Sequence, residues 1–192
     1  MVEALYGHYK IKIVSNEFFS NNENLKGIDI VAFPGGIGDA DTYYNFFKRR
    51  HGNVVANFVA NGGAYLGICM GAYWAGSHYF DILDSIEPVQ YIKRPQSDIR
   101  RPYGTVANVT WNDEKHKMFF YDGCSLIGDE SKCDVLSRYT NGDPMAIIQG
   151  RIGLIGCHPE SEQFWYSLYK YLKQDWHNKS HHRLLLDFVN RL

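Results

Sequence analysis

The sequence predicts an α/β protein with a mostly parallel central sheet and an antiparallel β insertion in the middle of the chain. Three observations carry that reading. First, the apolar runs Ile28 to Phe33 and Ala64 to Ile68 each stop at a glycine-rich turn, Pro34-Gly35-Gly36 in one case and the turn around Cys69 in the other. Strands that alternate with helices and end this way lie parallel and place function at their carboxyl edge. Second, from Tyr79 the pattern becomes short strands separated by turns, as antiparallel pairing requires. Third, 192 residues with 45% hydrophobic and 21% charged content suit one domain, 1–192, with a sizeable core.

Taken in order, Met1 to His8 reads as the last turns of a helix. Tyr9 to Val14 alternates apolar and charged residues as a half-buried strand does. Ser15 to Asn24 is a polar, Asn-rich loop, and Ile28 to Phe33 is a central strand. Asp39, Asp41, Tyr43 and Tyr44 precede an amphipathic helix. Val54 to Ala60 continues helically and stops at Asn61-Gly62-Gly63, a helix C-cap signature. Ala64 to Ile68 then delivers Cys69. Tyr79 to Tyr91, Thr105 to Trp111, Met118 to Ile127 and Val135 to Tyr139 read as strands, and Asn141-Gly142-Asp143 as a hairpin turn. Met145 to Gln149 and Gly153 to Gly156 return to the sheet, and Ser161 to Lys173 and His181 to Leu192 read as two amphipathic helices.

Composition narrows the function classes. A formal charge of -1 and a pI near 6.7 leave no basic footprint for nucleic acid or an anionic membrane. The four cysteines, Cys69, Cys124, Cys133 and Cys157, are too few and scattered for a disulfide framework and form no CxxC pair for zinc. A reducing, cytoplasmic setting without metal or cofactor is the expectation. No segment has signal-peptide order or membrane-spanning length.

The chemistry centres on Gly67-Ile68-Cys69-Met70-Gly71. A turn from strand to helix this tight strains its central residue and demands small neighbours. The following helix N-terminus offers free N–H groups and a positive dipole end, both of which favour a thiolate. Gly156-Cys157-His158-Pro159-Glu160 stands at the end of the last strand. Residues two apart on an extended segment share a side, so the His158 imidazole and the Glu160 carboxylate can meet. A thiol nucleophile needs such a base, and the base needs such an anionic partner. Gly35, Gly36 and the amide of Met70 are the candidate N–H donors to a developing oxyanion.

The motifs PGG, GICMG and HPE, in that order, resemble the oxyanion strand, nucleophile elbow and His-x-Glu end of class I glutamine amidotransferases. Across Ile28 to Glu160 the sequence is most similar to the amidotransferase-like N-terminal domain of biotin-protein ligases. GGAYLGICMGAYWAG, Arg100-Arg101-Pro102-Tyr103-Gly104, and Asp143-Pro144-Met145-Ala146 leading into GCHPE carry that similarity, with the acidic-aromatic loop Asp39 to Tyr44. The resemblance implies a flavodoxin-like three-layer sandwich with core motifs at 28–160 and two C-terminal helices at 161–192. It also implies Cys69 as nucleophile, His158 as base and Glu160 as its orienting partner. Two departures stand out. Glutamine-using members carry Gln four residues after the nucleophile, where this chain has Tyr73, so glutamine itself is not carried over as substrate. No counterpart of the family's opening strand and helix is read before Tyr9, so either the chain start is incomplete or the sheet edge this leaves is covered by a partner or a second copy. The ligase catalytic domain is also absent, and biotin transfer is not expected.

Asp39, Asp41, Tyr44, Tyr73 and Arg101 are the candidate substrate-binding residues. For Asp39, Asp41 and Tyr44 the alternative is helix capping, and for Arg100 and Arg101 an exposed loop pair. Cys157 is expected to face away from His158 into the core. His177, His181 and His182 are expected in a solvated interhelical turn, and Phe164, Trp165, Leu168 and Tyr171 to pack a helix on the sheet. The leading functional reading is a cysteine-dependent amide hydrolase or amidotransferase-like protein. Its substrate would be a small-molecule amide, with a synthase or ligase as partner protein. An inactive binding module and a PfpI-type peptidase relative are the alternatives.

Overall fold

The computed structural model describes residues 1–36 and 53–192. Its helices are α1 (Val2–Leu5), α2 (53–60), α3 (Met70–Trp74), α4 (Gln163–Ser167) and α5 (Ser180–Val189). Its strands are β1 (Ile30–Phe33), β2 (Ala64–Ile68), β3 (Ile86–Gln90), β4 (Thr105–Trp111), β5 (Glu114–Phe120), β6 (Cys124–Gly128), β7 (Asp134–Tyr139), β8 (Pro144–Gln149) and β9 (Ile152–Ile155).

Seven strands form one curled sheet in the order β1-β2-β9-β8-β7-β4-β5, and β3 pairs with β6 in a separate two-stranded sheet. The β1–β2 and β2–β9 pairs are parallel. The remaining neighbours, β9–β8, β8–β7, β7–β4 and β4–β5, are antiparallel. The architecture is the flavodoxin-like α/β sandwich, and the antiparallel segment extends the parallel part as one mixed sheet.

Burial explains the layering. All five residues of β2 are buried, as a central parallel strand covered on both faces requires. Leu66 and Ile68 pack on one face with Trp111, Leu185 and Phe188, so α5 and α1 cover that side. Tyr65 turns to the other face, where Phe33, Trp74, Phe80 and Leu126 bring in α3 and the β3–β6 pair. This alternation is the pleat of a strand expressed at the scale of the molecule.

Four local expectations are corrected. Tyr9 to Val14 is not a strand: Tyr9 packs against the first face and Val14 against the second, so the segment crosses the sheet's rim, with Ile13 80% exposed. Tyr79 to Ser85 is turn, and only Ile86–Gln90 of that run is strand. Met118 to Ile127 is two strands of different sheets, separated by the turn at Tyr121-Asp122-Gly123. The first C-terminal helix breaks at Tyr169, whose backbone is extended, and resumes as a 3-10 turn at Lys170–Asp175. The break lets Tyr166 and Leu172 both bury against Phe119, a spacing no continuous helix places on one face. Phe164, Leu168 and Tyr171 consequently stand exposed, and only Trp165 of the expected packing set is partly buried.

The β2–α3 turn depends on absent side chains. A Cβ on Gly71 would collide with the carbonyl of Phe33, and one on Gly67 with the carbonyl of Gly71. In an ordinary helix Gly→Ala is stabilising. Here the sign reverses: Gly71→Ala is expected to lower the free energy of unfolding by about 1–3 kcal/mol. Urea denaturation checks it, and a variant as stable as the wild type would refute the packing account.

Candidate active site

Three chain segments converge at the carboxyl ends of β1, β2 and β9. The first is the elbow. Cys69 follows β2 with φ 50 and ψ -105, a conformation of order 1–3 kcal/mol above relaxed backbone for a residue with a side chain. Its amide donates to the carbonyl of Ile155 at 2.8 Å, its carbonyl accepts from Ala72 at 2.9 Å, and Tyr65 Oη donates to the Gly71 carbonyl at 2.7 Å. These contacts over-determine the turn and hold the strain in place. The helix that follows has only five residues, Met70–Trp74, so its dipole is smaller than the sequence pattern suggests. The charged partner offered to the sulfur is an imidazole.

That imidazole arrives on the second segment. β9 ends at Ile155, and the His158 amide then donates to the Phe119 carbonyl at 2.9 Å, which pins the residue beside the last residues of β5. His158 Nδ1 lies 2.9 Å from Glu160 Oε1, and both side chains are buried. Nδ1 therefore carries the proton toward the carboxylate, which leaves Nε2 for the sulfur side. Burial pulls the His158 pKa down, but the opposing charges of Cys69 and Glu160, with a hydrogen bond to each, push it up and prevail. A raised imidazole beside a thiol is the electrostatic setting of a thiolate–imidazolium pair.

The third segment is Pro34-Gly35-Gly36 after β1. A Cβ at Gly35 would collide with His158 Cε1, stand 3.2 Å from His158 Nδ1 and lie 3.3 Å from Cys69 Cβ. The ring and the thiol-bearing carbon therefore flank one point, and only glycine fits it. A Cβ at Gly36 would meet the Met70 side chain, with Cε at 2.6 Å. Gly35, Gly36 and Met70 are thus neighbours around the elbow.

A turn that the sequence pattern hides supplies the opposite wall. Cys69 Sγ points at the Tyr121 carbonyl, 3.5 Å away, and Tyr73 Oη donates to the Asp122 carbonyl at 3.2 Å. Burial, with the nearby charges of Cys124, Asp122 and Cys69, raises the Tyr73 phenol so that it stays a neutral donor. Asp122 has φ 52, and Gln90 Nε2 donates to both its carboxylate oxygens at 3.2 and 3.0 Å. Burial raises its pKa, while the Gln90 bond and the charge of Lys93 oppose the rise. Trp165 and Phe119 pack edge-on to the His158 ring, with centroids at 5.2 and 6.0 Å. The Asp122-Gly123 dipeptide is the one turn signal available there. Nothing in the sequence points to Gln90 or Trp165.

Of the remaining candidates, Asp39, Asp41 and Tyr44 lie outside the described residues. Arg101 is exposed in the loop before β4, and Arg100 Nη1 donates to the Arg94 carbonyl at 3.1 Å. Cys157 is buried with Sγ 3.6 Å from Tyr139 Oη, as alternation predicts, and burial raises its pKa. The expectation of solvated histidines is corrected: His181 is 3% and His182 7% exposed. Among the described residues no group of three or more His, Cys, Asp or Glu is arranged to hold a metal ion. A cleft of about 430 Å³ lined by Lys26, Asp29, Asn61 and Arg151 lies at the amino ends of β1, β2 and β9, the end away from Cys69.

Comparisons with known proteins bear on the fold. Residues 1–85 match the family described as biotin-protein ligase, N terminal. An uncharacterized protein of Chlamydia muridarum is 32% identical over 146 residues, covering 64% of this chain and 55% of that protein. The chain thus spans about half the length of this curated relative. A glutamine amidotransferase structure superposes with a TM-score of 0.64 at 19% identity, over 98% of this chain and 92% of its own. A protein from Thermoplasma acidophilum, assigned as a GMP synthase subunit, gives 0.56 at 16% identity, over 94% and 84%. The fold is amidotransferase-like and related to the biotin-protein ligase N-terminal family. No helix among the described residues is long and apolar enough to cross a membrane.

The buried histidines make acid stability testable. Burial, then the charge of His182, lowers His177 to about 4. Burial, then the charges of His177, His116 and His182, lowers His181 to about 3. In the unfolded chain both titrate near 6.5. Between about 6.5 and about 4 the unfolded state therefore binds more protons, and stability falls as pH falls. Their contribution is fully present above that window. His158, with its raised pKa, is protonated in both states below about 6.5 and does not add to the slope. Urea midpoints are expected to drop progressively from about pH 6 to pH 4, and His181→Phe to flatten the drop. An unchanged slope in the variant would count against the assignment.

Proposed function

We propose that this chain is a cysteine-dependent amide-processing enzyme, a hydrolase or amidotransferase of the glutamine amidotransferase-like type. Cys69, His158 and Glu160 act in it as one relay. The observation that carries the reading is the convergence at Gly35, where the imidazole and the thiol-bearing carbon crowd a position that excludes any side chain. Around it, a strained elbow, a carboxylate-bound imidazole and glycine amides supply the three parts that acyl transfer from an amide needs.

The steps follow from the atoms present. The Cys69 thiolate attacks the amide carbon, a C–S bond forms, and the carbonyl electron pair moves to oxygen. The amides of Gly35 or Gly36 and of Met70 donate to that oxygen. As the pair returns, the C–N bond breaks and the His158 imidazolium protonates the leaving nitrogen. The thioester left on Cys69 is then attacked by water or another acceptor, with neutral His158 taking the proton and Cys69 leaving as thiolate. Glu160 fixes the ring throughout and stays ionised. Asp39, Asp41, Tyr44, Tyr73 and Arg101 remain the substrate-recognition set of this proposal. The Tyr121-Asp122-Gly123 turn joins them because it walls the sulfur. We assign a single domain over 1–192 working in a cytoplasmic setting without cofactor, on a small-molecule amide. The likeness to a synthase component supports a synthase or ligase as its partner protein.

An electrophilic glutamine analogue, with ammonia release from a panel of primary amides, tests the proposal. Cys69 is expected to be the residue labelled, Cys69→Ser to abolish labelling, and His158→Ala to slow it by about 10²–10⁴-fold. Gly35→Ala, which displaces the ring from the sulfur, should cost roughly 10²-fold in a variant that remains folded. Ammonia release from glutamine would extend the substrate class to glutamine despite Tyr73. A wild-type Cys69 that resists every electrophile, with no ammonia from any amide, would reject the enzymatic reading in favour of a binding module.

A further inference from the structure

We propose that His177 and His182 are positioning residues for the relay: together they grip the carbonyl of Ser161, the residue after Glu160, and so hold the Glu160 carboxylate against His158. This inference rests on the reading of Cys69, His158 and Glu160 as one unit.

The Glu160-Ser161 stretch is buried, at 2% and 0% exposure, yet belongs to no helix or strand. Its backbone is fixed by one turn bond, the Ser161 amide donating to the His158 carbonyl at 3.2 Å, and otherwise by side chains. The Ser161 carbonyl accepts from His182 Nε2 at 3.0 Å and from His177 Nε2 at 3.2 Å. Ser161 Oγ bonds Tyr166 Oη at 3.1 Å and lies 3.3 Å from His177 Nε2. The tautomer of His177 is set locally: the His181 amide donates to its Nδ1 at 3.4 Å, so Nε2 carries the proton. Ring packing restricts the donors further, with His177 stacked on His181 at 4.2 Å and against Trp176 at 4.1 Å. His116 of β5 meets His181 edge-on at 5.3 Å and closes the cluster against the sheet.

The carboxylate itself explains why this grip matters. Glu160 Oε1 bonds His158, while Oε2 has no hydrogen-bond partner among the described residues. No second side-chain anchor therefore orients the carboxyl group, and its place is set by its backbone. That backbone continues directly into the carbonyl the two histidines hold. Loss of one donor lets the segment relax, lengthens the Glu160–His158 contact and weakens support for the imidazolium. The expected consequence is electrostatic as well as structural, because less support for the imidazolium means less thiolate at Cys69.

The test needs no substrate. On the full chain, iodoacetamide alkylation of Cys69 is followed by mass spectrometry of its peptide from about pH 4 to 10, which reads the thiolate fraction. The wild-type inflection is the reference, and His158→Ala, which removes the imidazole, should move it up. His182→Phe, which keeps a ring but removes the donor, should move the inflection up by about one pH unit. His182→Gln, which restores an N–H at similar reach, should bring it back toward wild type. A His182→Phe protein that is less stable but titrates like wild type would overturn the proposal alone and leave those histidines purely structural. His177→Phe, read the same way, decides the matter if His182→Phe does not fold. A wild-type inflection that His158→Ala leaves unmoved would overturn the relay itself and this proposal with it.

Discussion

A cysteine held at φ 50 between two glycines is the constraint on which the candidate site depends. The turn can exist only because Gly67 packs on the Gly71 carbonyl and Gly71 on the Phe33 carbonyl, with no room for a methyl group at either. Those contacts tie the elbow to β1 on one side, and the Cys69 amide bond to Ile155 ties it to β9 on the other. The three parallel strands are thereby fixed in relative height where their chemistry emerges. The sulfur's position is thus a property of the sheet, and any change that lets the strands slide also moves the thiol. Strain of this kind persists only where the surroundings over-determine it, which a fully buried central strand provides.

The antiparallel half does more than enlarge the core. β5 ends at Phe120, and its Phe119 carbonyl takes the His158 amide, so the strand farthest from β1 in the sheet order seats the imidazole. The chain then turns through Tyr121-Asp122-Gly123 into β6, bringing a backbone carbonyl to the sulfur and another to Tyr73. A Cβ on Gly123 would strike the Gly156 carbonyl, and one on Gly156 the Cys124 carbonyl, so this turn and the β9 exit fit only as a pair. The curl of the sheet follows from that fit, because both ends of the seven-strand order must reach the same place.

What the sequence disclosed and what it hid divide along a physical line. The elbow, the PGG turn and the His-Pro-Glu end were legible because backbone strain, close approach and charge pairing each demand particular residue types at short spacing. Strands such as β4, with regular alternation of buried and exposed positions, were legible for the same reason. Segments whose state depends on distant partners were not. Tyr9 to Val14 has strand-like alternation but crosses the sheet's rim to reach both faces. Met118 to Ile127 is largely apolar, yet its halves belong to different sheets, a division that periodicity cannot express. The histidines of α5 carry no sign in sequence that a buried carbonyl waits for them. Polar residues at a helix start ordinarily mean solvent, and only the tertiary fold places Ser161 beneath them.

Charge accounting shows why these parts belong together. With Cys69 as thiolate, His158 protonated and Glu160 ionised, the buried relay carries a net charge of minus one, which is costly in a low-dielectric interior unless it is distributed and hydrogen-bonded. Attack on a carbonyl does not increase that charge. It moves the negative charge from sulfur to oxygen, from a group facing His158 to one facing neutral amides. Proton transfer to the leaving nitrogen then neutralises the imidazole as the oxyanion collapses, so the total is conserved. The proposed reaction therefore asks of the architecture one fixed anion, Glu160, and one mobile negative charge with two resting places. In the proposed cycle Glu160 is the only member that never changes state, and the precision of its placement would govern both halves. A carboxylate bonded through one oxygen to His158 must draw that precision from its backbone. In that proposal, this is the physical reason for two histidines to hold a single carbonyl group, with a third packed behind them.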